Sequence, residues 1–298
     1  MSLLAPPWDA LAEAVARAVA EDLPAGDPTG AAVGRREAAA RVVARRAGTV
    51  AGLVAAQLVF DEVDMRLGTG PAKVLPACAD GDRVEPGQAL AHLSGPARTL
   101  LAAERTVLNL LTHLSGIATA TAAVVAELEG TGTVVRDTRK TVPGLRQLQK
   151  YAVRCGGGQN HRMNLSDALL VKDNHVAALG GVAAAVMAAR EVAAAWPGGP
   201  LPVEVEVDDL EELDEALAAG ASLVLVDNMA LEATAEAVRR AHRAGALVEA
   251  SGGIRPGQVR QVALTGVDFV AIGALTHSAP ALDIGIDWDL GAGTGPGA

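Results

Sequence analysis

Aromatic residues are scarce in this 298-residue chain. Phe, Tyr and Trp together make up 2% of the sequence, whereas half of the residues are apolar, with Ala, Val and Leu leading. Base stacking on nucleic acid depends on aromatic faces, and binding to its phosphate backbone depends on positive charge. Because the formal net charge is -10, the composition argues against a nucleic-acid partner and predicts an aliphatic core.

Cysteines and long apolar runs are also nearly absent. Cys78 and Cys155 lie far apart and form no CxxC pair, which argues against a disulfide framework and a zinc site. No uninterrupted apolar stretch approaches the ~18 residues of a membrane span. Asp9 and Glu13 stand near the N-terminus, where a signal peptide carries basic residues. We therefore expect a soluble cytoplasmic protein without a membrane partner.

The common nucleotide-binding motifs are missing too. The chain has neither GxxxxGK[ST] nor a GxGxxG that follows a strand, which leaves use of ATP or a dinucleotide unsupported. Two segments with small residues, "EASGGI" and "AIGALTHS", instead follow apolar runs near the end of the chain. In α/β barrels the last two βα loops often bind a phosphate through backbone N–H groups. We predict such a phosphate site here.

The first 115 residues carry mixed helical and strand patterns. Apolar spacing predicts one helix over Trp8–Leu23 and another from Pro96 to Leu128. Residues 39–53 and 72–95 between them are typical of short strands. The second segment resembles the hairpin of a lipoyl or biotinyl carrier, but no lysine stands at its tip. We therefore favour a structural hairpin.

A regular alternation begins after Thr131. Six apolar runs alternate with helical stretches, and four of the runs end at intervals of 21, 24 and 22 residues. This pattern predicts a parallel sheet covered by helices, and its even period indicates an α/β barrel. The runs are "TVVRDTRK", "ALLVKDNH", "PVEVEVDD", "SLVLVDNM", "ALVEASGG" and "FVAIGALT", and the predicted helices are Gly144–Arg154, Gly181–Ala195, Leu210–Ala219, Leu231–Ala244 and Pro256–Ala263.

Polar residues stand near the carboxyl ends of these runs, where α/β barrels place their active sites. In "VEVEV", strand alternation puts Glu204 and Glu206 on one face and the valines on the other. We expect both glutamates to point into the barrel, where buried carboxylates need cationic or hydrogen-bonded partners. A structural ion pair suits Glu204 better than Glu206, which stands at the mouth. The residues at the run ends are Arg139, Lys140, Lys172, Glu206, Asp227, Ser251 and Gly273.

Positive charge is concentrated between Arg136 and His175. This segment has eight basic and three acidic residues, a local charge of +5 in an acidic protein. It predicts a pocket for a compact anion, since phosphate or carboxylate groups need compensation once they lose water. For Arg146, Lys150 and Arg154, spaced four residues apart, we prefer a solvated helix face.

The segment "DTRKTVPGLRQLQKYAVRCGGGQNHRMNLSDALLVKDNH" resembles the quinolinate phosphoribosyltransferase family, also called nicotinate-nucleotide pyrophosphorylase (carboxylating). The segments "EDLPAGDPT", "ERTVLNLLTHLSGIAT", "VEVEVDDLEELDEAL", "LVDNM", "EASGGI" and "GALTHSAPALDIGID" resemble the same family in the same order. The visible departure is Asn164, where many members have glycine.

The resemblance implies a pentosyl transfer. Quinolinate and phosphoribosyl pyrophosphate would give nicotinate mononucleotide, pyrophosphate and CO₂ with Mg²⁺, in NAD biosynthesis. It also implies an N-terminal α/β sandwich over residues 1–115, an open α/β barrel over 116–275, and a tail, 276–298, that packs back on the sandwich. The implied assembly is a homodimer in which each active site accepts Arg105 from the neighbouring subunit.

The resemblance also implies roles for individual residues. Arg105, Arg139, His161 and Arg162 would bind the two carboxylates of quinolinate. Lys140 and Lys172 would serve substrate and pyrophosphate groups, with Thr138 beside them. Glu206 and Asp227 would hold the ribose hydroxyls and Mg²⁺, while the backbones of Ser251, Gly252 and Gly253 and of Ile272, Gly273 and Ala274 would take the 5′-phosphate. The catalytic set would be Lys140, Lys172, Glu206 and Asp227.

The residues leave two other functions open. Lys172 at a strand end would suit an aldolase-like barrel that forms a Schiff base with a phosphorylated carbonyl compound, although this does not explain three arginines. A non-catalytic anion-binding protein is the third alternative. In every case we expect the three glycines of "GGGQNHR" to let the backbone pass close to a ligand.

Overall fold

The computed structural model describes residues 4–255 and 257–289, and its secondary structure alternates along the chain. The helices in this part of the chain are α1 (Trp8–Asp22), α2 (Pro28–Val33), α3 (Leu53–Leu67), α4 (Ala97–Glu127), α5 (Arg146–Cys155), α6 (Asp173–Leu179), α7 (Val182–Ala194), α8 (Leu210–Ala218), α9 (Leu231–Arg243), α10 (Val259–Ala263) and α11 (Ala274–His277). The strands are β1 (Glu37–Ala44), β2 (Gly48–Thr49), β3 (Lys73–Pro76), β4 (Arg83–Val84), β5 (Ala89–Pro96), β6 (Val134–Arg136), β7 (Leu169–Val171), β8 (Val203–Val207), β9 (Leu223–Asp227), β10 (Leu247–Ser251), β11 (Phe269–Ala271) and β12 (Ile284–Asp289).

The chain divides into two compact units, each made of more than one segment. The first unit holds residues 1–122, 142–157 and 278–298, and the second holds 123–141 and 158–277. The boundary falls inside α4, and the segment that contains α5 belongs to the first unit. Both units mix helices with a sheet, so the predicted α/β class, with a sandwich and an open barrel, is confirmed.

The first unit is built on an antiparallel sheet with the order β12-β1-β5-β3. The register of β1 and β12 runs from Ala39 opposite Asp289 to Ala44 opposite Ile284. The apolar residues of β1 and β5 form one buried cluster with residues of α1, α3, α4 and α5. In α1 the buried residues Leu11, Val15 and Val19 are four apart, which is one face of a helix. An aliphatic core of this kind is what the composition predicts.

Helix α4 meets the length and hydropathy criteria for a membrane span, contrary to the expectation that no segment would. The expectation counted uninterrupted apolar residues, whereas the mean hydropathy of an 18-residue window in Ala97–Glu127 reaches 1.4 despite its charged residues. Within the protein, 61% of that window is buried. The buried leucines of α4, among them Leu100, Leu111 and Leu114, belong to the core of the first unit.

Both cysteines are free thiols in the structure. Burial, with a smaller contribution from the charges of Asp82 and Asp80, raises the pKa of Cys78 to about 11. Burial also raises the pKa of Cys155 to about 12. The thiolate is the reactive form of cysteine, so neither residue is a nucleophile at neutral pH.

The second unit contains a six-stranded sheet with the order β6-β11-β10-β9-β8-β7. All five strand pairs are parallel. The predicted helices between the strands are present, although Pro256, the first residue of one of them, lies outside the described residues. Residue Gln159 adds a single parallel bridge to Arg136 beside β6. Parallel strands bring their carboxyl ends to one edge of a sheet, and the candidate polar residues therefore meet there.

The structure corrects the interpretation of Lys150. Its spacing with Arg146 and Arg154 favoured a solvated helix face, but Lys150 is 0% exposed. Its neighbours Gln149 and Tyr151 in α5 are buried as well. Residues 148–153 of α5 are all buried, so burial extends around this part of the helix and includes the lysine.

The glycine triplet is also packed differently from the prediction. A Cβ atom on Gly156 would lie 2.4 Å from the carbonyl oxygen of Ala118 and 2.6 Å from Cβ of Thr121, both in α4. Gly157 has a φ of 88°, a left-handed conformation that favours glycine. The close backbone approach at Gly156 is therefore to a helix of the first unit.

We predict that Gly156→Ala lowers the free energy of unfolding by about 1–3 kcal/mol, because the added methyl group collides with backbone atoms that cannot rotate away. Chemical denaturation measures this loss. Gly198→Ala is the matched control, since its Cβ would meet only a side-chain atom of Trp196, at 3.8 Å. Equal stability of the two variants would contradict the packing argument.

Candidate active site

A cavity of about 340 Å³ lies at the carboxyl edge of the six-stranded sheet. Its volume is in the range of small-molecule sites. Five potentially cationic side chains and three carboxylates line it. The lining residues are Thr138, Arg139, Lys140, His161, Arg162, Leu170, Lys172, Glu206, Leu225, Asp227, Glu249, Ser251 and Ala271.

The segment after β6 is held by hydrogen bonds on both sides of Lys140. The N–H of Lys140 donates to the hydroxyl of Thr138 at 3.0 Å. The hydroxyl of Thr276 donates to the carbonyl of Lys140 at 2.8 Å. These bonds fix the backbone from which Arg139 and Lys140 reach the cavity.

The segment "GGGQNHR" is held by the buried carboxylate of Asp137. This carboxylate is 0% exposed and accepts hydrogen bonds from Nδ2 of Asn160 at 2.6 Å and from the N–H of His161 at 2.9 Å. The backbone of Gln159 bonds to Val135 and Asp137 on β6 and just beyond it. His161 and Arg162 are thereby brought to the wall of the cavity.

Arg139 and Arg162 meet on this wall as like charges. Burial, together with the charge of Arg139, lowers the pKa of Arg162, while Glu204 acts in the opposite direction. Nη1 of Arg162 donates to the carbonyl of Ala168 at 3.1 Å. Nε of Arg139 is buried and has no hydrogen-bond partner among the described residues. Two close guanidinium groups, one with an unsatisfied donor, are arranged to receive an anion.

Both ring nitrogens of His161 have partners. Nδ1 accepts from the N–H of Arg162 at 2.7 Å, and Nε2 lies 2.6 Å from Oε2 of Glu204. Burial lowers the pKa of His161, but the hydrogen bond to Glu204 and the charges of Glu249 and Glu204 outweigh it, so that the net direction is upward. The ring therefore forms part of the wall and joins the cavity to the carboxylates beneath it.

The next three strands supply an ion pair and one further carboxylate. Nζ of Lys172, after β7, pairs with Oε2 of Glu206 on β8. The backbone of Lys172 is fixed by His175, whose Nδ1 accepts the Lys172 N–H at 3.0 Å and whose N–H donates to the Lys172 carbonyl at 2.7 Å. Asp227 is the last residue of β9, the strand that pairs with β8.

Asp227 is oriented by the residue that follows it. Nδ2 of Asn228 donates to Oδ2 of Asp227 at 2.7 Å, and the N–H of Asn228 donates to the carbonyl of Ser251 at 3.0 Å. Asn228 has a φ of 54°, the only positive φ outside glycine in the described residues. Asparagine tolerates this region better than most residues, and here it connects the ends of β9 and β10.

The predicted phosphate segments lie in different surroundings. Ser251 lines the main cavity, and with Gly252 and Gly253 it also lines an adjacent cavity of about 200 Å³. Ile272 is 2% exposed and lines neither cavity, nor do Gly273 and Ala274. A Cβ on Gly273 would lie 3.0 Å from Cδ of Lys140 and 3.3 Å from Oγ1 of Thr138. Small residues therefore leave room for the lysine there.

Nine of the predicted site residues thus share one cavity. They are Thr138, Arg139, Lys140, His161, Arg162, Lys172, Glu206, Asp227 and Ser251. Arg105 belongs to the first unit, where it is exposed on α4. Asn164 lies outside the cavity lining, and its side chain accepts the N–H of Ser166 at 2.7 Å. The sequence interpretation missed Glu249, a charged residue inside the apolar run "ALVEASGG", although the reasoning applied to Glu204 would have found it.

An open parallel α/β barrel that presents basic side chains and carboxylates at its carboxyl edge defines a class of enzymes that act on small anions. The models of the N-terminal and C-terminal domains of quinolinate phosphoribosyl transferase match residues 27–115 and 117–287. The chain belongs to the quinolinate phosphoribosyl transferase family.

Known members are similar along most of their length. The nicotinate-nucleotide pyrophosphorylase (carboxylating) of Mycobacterium leprae is 53% identical over 78% of this chain and 80% of its own. The human enzyme of that name is 41% identical over 78% of each chain. The solved structure of the nicotinate-nucleotide pyrophosphorylase from Francisella tularensis has a TM-score of 0.86 at 37% identity and covers 95% of this chain and 97% of that one.

We predict that Gly252→Ala impairs substrate turnover more than Gly257→Ala. Both glycines have left-handed φ angles, 96° and 85°, so the backbone strain of an alanine is similar. A Cβ on Gly252 would lie 2.3 Å from Oδ1 of Asn228, whereas nothing lies within 4 Å of one on Gly257. An alanine at position 252 would displace the Asn228 side chain and so break its hydrogen bond to Asp227. Steady-state kinetics on folded protein measures the difference, and equal activity of the two variants would show that Asn228 does not orient Asp227.

Proposed function

We infer that this chain transfers a phosphoribosyl group from phosphoribosyl pyrophosphate to quinolinate and releases CO₂, giving nicotinate mononucleotide for NAD biosynthesis. The observation that carries this inference is that one cavity is lined by two arginines, Arg139 and Arg162, and by two carboxylates, Glu206 and Asp227, in a chain whose family match covers most of its length. A pyridine dicarboxylate and a phosphorylated sugar are the substrates that such a division of charge suits.

The two arginines are the principal carboxylate ligands in this proposal. Their charges repel each other in the absence of an anion, and the buried Nε of Arg139 has no partner among the described residues. A bound dicarboxylate supplies both the negative charge and the acceptors. His161 contributes a wall of the site, since its ring nitrogens already have partners. Lys140 and Thr138 are placed beside them for the substrate phosphates.

The chemistry needs positioning and charge rather than a covalent nucleophile. The pyridine nitrogen forms a bond to the anomeric carbon as the bond to pyrophosphate breaks, and Glu206 and Asp227 stabilise the positive charge that develops on the sugar. The C–COO⁻ bond then breaks, its electron pair stays on the ring carbon beside the cationic nitrogen, and that carbon takes up a proton. Lys172 and Lys140 counter the charge of the leaving pyrophosphate.

We propose Mg²⁺ as the cofactor on the chemistry of the donor set. Glu206 and Asp227 are carboxylates at the ends of neighbouring strands, and Mg²⁺ is usually bound through one or two carboxylates together with substrate phosphates. The ion would neutralise the pyrophosphate as it departs. To bind the ion, Glu206 would have to give up its ion pair with Lys172 or hold both cations at once.

The ion pair of Lys172 also bears on the aldolase alternative. A Schiff-base lysine attacks as a neutral amine, whereas Nζ of Lys172 is paired with the Glu206 carboxylate. An ammonium group in an ion pair is not a nucleophile. A phosphate-binding role therefore suits the observed contact better.

The function is tested by the release of labelled CO₂ from quinolinate carrying the label in its 2-carboxylate. We expect release that depends on phosphoribosyl pyrophosphate, stops when EDTA removes divalent cations and returns when Mg²⁺ is added. An anion-binding protein without activity would bind both compounds and release nothing. Borohydride trapping of a substrate on Lys172, without labelled CO₂, would favour the aldolase alternative.

Arg139→Ala provides the matched variant in this assay. Loss of a charge-assisted contact costs about 1.5–3 kcal/mol, which corresponds to an increase of roughly 10- to 150-fold in KM for quinolinate. Arg239→Ala is the control, because Arg239 is an exposed residue of α9 paired with Glu236. A normal KM for the Arg139 variant would remove this residue from the site.

We also propose a cytoplasmic homodimer in which Arg105 of each subunit completes the site of its partner. Random mixing of Arg105→Ala and Lys172→Ala chains would make half of the dimers hybrid, each with one intact site of two. Recovery of about a quarter of wild-type activity is therefore expected for a twofold-symmetric dimer. The measurement is CO₂ release after subunit exchange.

The control mixture combines Arg139→Ala with Lys172→Ala. Both residues line the cavity of the second unit, so every site in a hybrid of these variants lacks one of them. No recovery is expected from this pair. If the Arg105 mixture also fails to recover activity while hybrid dimers are present, the sites are not shared.

A further inference from the structure

Glu249 lies directly beneath the floor of the cavity and has no role in the proposed reaction. It is the third residue of β10 and is 0% exposed, yet it contributes to the cavity lining. The charged or titratable groups that face its carboxyl group come from three neighbouring elements: Arg136 from β6, Glu204 from β8, and His161 from the segment that follows α5. Glu249 therefore lies at the centre of a buried charged network.

The contacts within this network leave one oxygen of Glu249 unsatisfied. Nη1 of Arg136 donates to Oε2 of Glu249 at 2.8 Å, and the guanidinium carbon lies 3.2 Å from the centroid of the Phe269 ring. Oε1 of Glu249 has no hydrogen-bond partner among the described residues. Nε2 of His161 lies 3.6 Å from this oxygen and is closer to Glu204, at 2.6 Å.

The charges of the network do not balance without an added proton. Two carboxylates and one guanidinium carry a net charge of -1 when the imidazole is neutral. A second proton on His161 would have to displace the Arg162 N–H from Nδ1. A buried uncompensated charge is costly, and the network has two open acceptors, Oε1 of Glu204 and Oε1 of Glu249. Glu204 already shares a hydrogen bond with His161, whereas Glu249 is the carboxyl group of the two that lines the cavity. In agreement, burial and the charge of Glu204 raise the pKa of Glu249 to about 7, against the influence of His161 and Arg136.

We propose that Glu249 determines how strongly the site binds a dicarboxylate, by carrying the proton that keeps the floor of the cavity neutral. The inference rests on the proposed function, in which that ligand is quinolinate. When Glu249 is protonated, the floor adds no negative charge beside the positive wall formed by Arg139 and Arg162. When Glu249 ionises, one more negative charge lies under the ligand in a region of low dielectric constant.

The direction of the pH dependence follows from linkage. A bound dianion favours the protonated form of Glu249, so the pKa of this group is higher in the complex than in the free enzyme. Binding is therefore strongest at pH values below the titration of the free enzyme. It weakens as the pH rises through that titration and becomes constant once Glu249 is ionised in the complex as well. Carboxyl groups of the substrate are ionised throughout this range.

The test measures KM for quinolinate between pH 6.0 and 8.5 at saturating phosphoribosyl pyrophosphate and Mg²⁺. For wild type we expect KM to rise by about fivefold or more, the lower end of typical coupling between sites, with a smaller change in kcat. Glu249→Gln retains the shape of the protonated side chain and cannot ionise, so its KM should change by less than about twofold. Titration of phosphoribosyl pyrophosphate affects wild type and Glu249→Gln alike, so it cancels when the wild-type KM is divided by that of the variant at each pH.

Asp214→Asn serves as the matched control because Asp214 is an exposed carboxylate on α8 that pairs with Arg240. Its KM should follow the wild-type curve. A Glu249→Gln variant that retains the wild-type pH dependence would overturn the proposal, and so would a wild-type KM that does not change with pH. Absence of CO₂ release from wild type at every pH would instead refute the proposed function, and the inference would fail with it.

A second measurement does not require the variant to fold. Inhibition of the wild-type enzyme by benzene-1,2-dicarboxylate, a dianion without a ring nitrogen, should weaken between pH 6.0 and 8.5 more than inhibition by a pyridine monocarboxylate. The charge on Glu249 acts about twice as strongly on two negative charges as on one. Equal pH dependence for the two inhibitors would show that the floor charge does not discriminate between them.

Discussion

The buried carboxylate of Asp137 is the interaction on which the site depends. It accepts hydrogen bonds from Nδ2 of Asn160 and from the N–H of His161. These bonds hold the segment that carries Arg162 beside the edge strand β6. The backbone bridge between Gln159 and β6 holds the start of the same segment. Arg139 follows Asp137 by two residues, so the two arginines project from backbone segments that the Asp137 side chain ties together. The positive wall of the cavity is a consequence of this arrangement.

A wall of like charges costs stability until an anion binds, and the surrounding carboxylates limit that cost. Glu206 pairs with Lys172, and Glu204 approaches His161. Nε of Arg139 is left without a hydrogen-bond partner among the described residues. Charges that are fixed in place before the substrate arrives need no reorganisation during the reaction. The same fixation explains why the backbones of Lys140, Lys172 and Asn228 are each held by specific hydrogen bonds.

Periodicity predicts the barrel strands and most of the longer helices, because regular apolar spacing reflects the burial of one face of an element. It was not sufficient for α3 or β12, which the sequence interpretation left out. Nor did it show that α5 belongs to the first unit, since membership in a core depends on contacts distant in sequence. Lys150 illustrates the limit: helical charge spacing indicates a surface, yet this lysine is fully buried. The cavity residues were largely predictable because parallel strands bring their carboxyl ends together.

Glu204 and Glu249 show what strand alternation can and cannot establish. Both interrupt apolar runs, and both point to the inside of the sheet, where they lie within reach of the same imidazole. The pattern indicates that each is buried, but not that they share a neighbour, since they come from strands β8 and β10 with β9 between them. One guanidinium group cannot neutralise two carboxylates, so the network remains charged beneath the cavity unless it holds a proton or another cation. The electrostatic potential of the site therefore depends on how many carboxylates and cations are buried together. That number follows from the fold and cannot be derived from strand alternation.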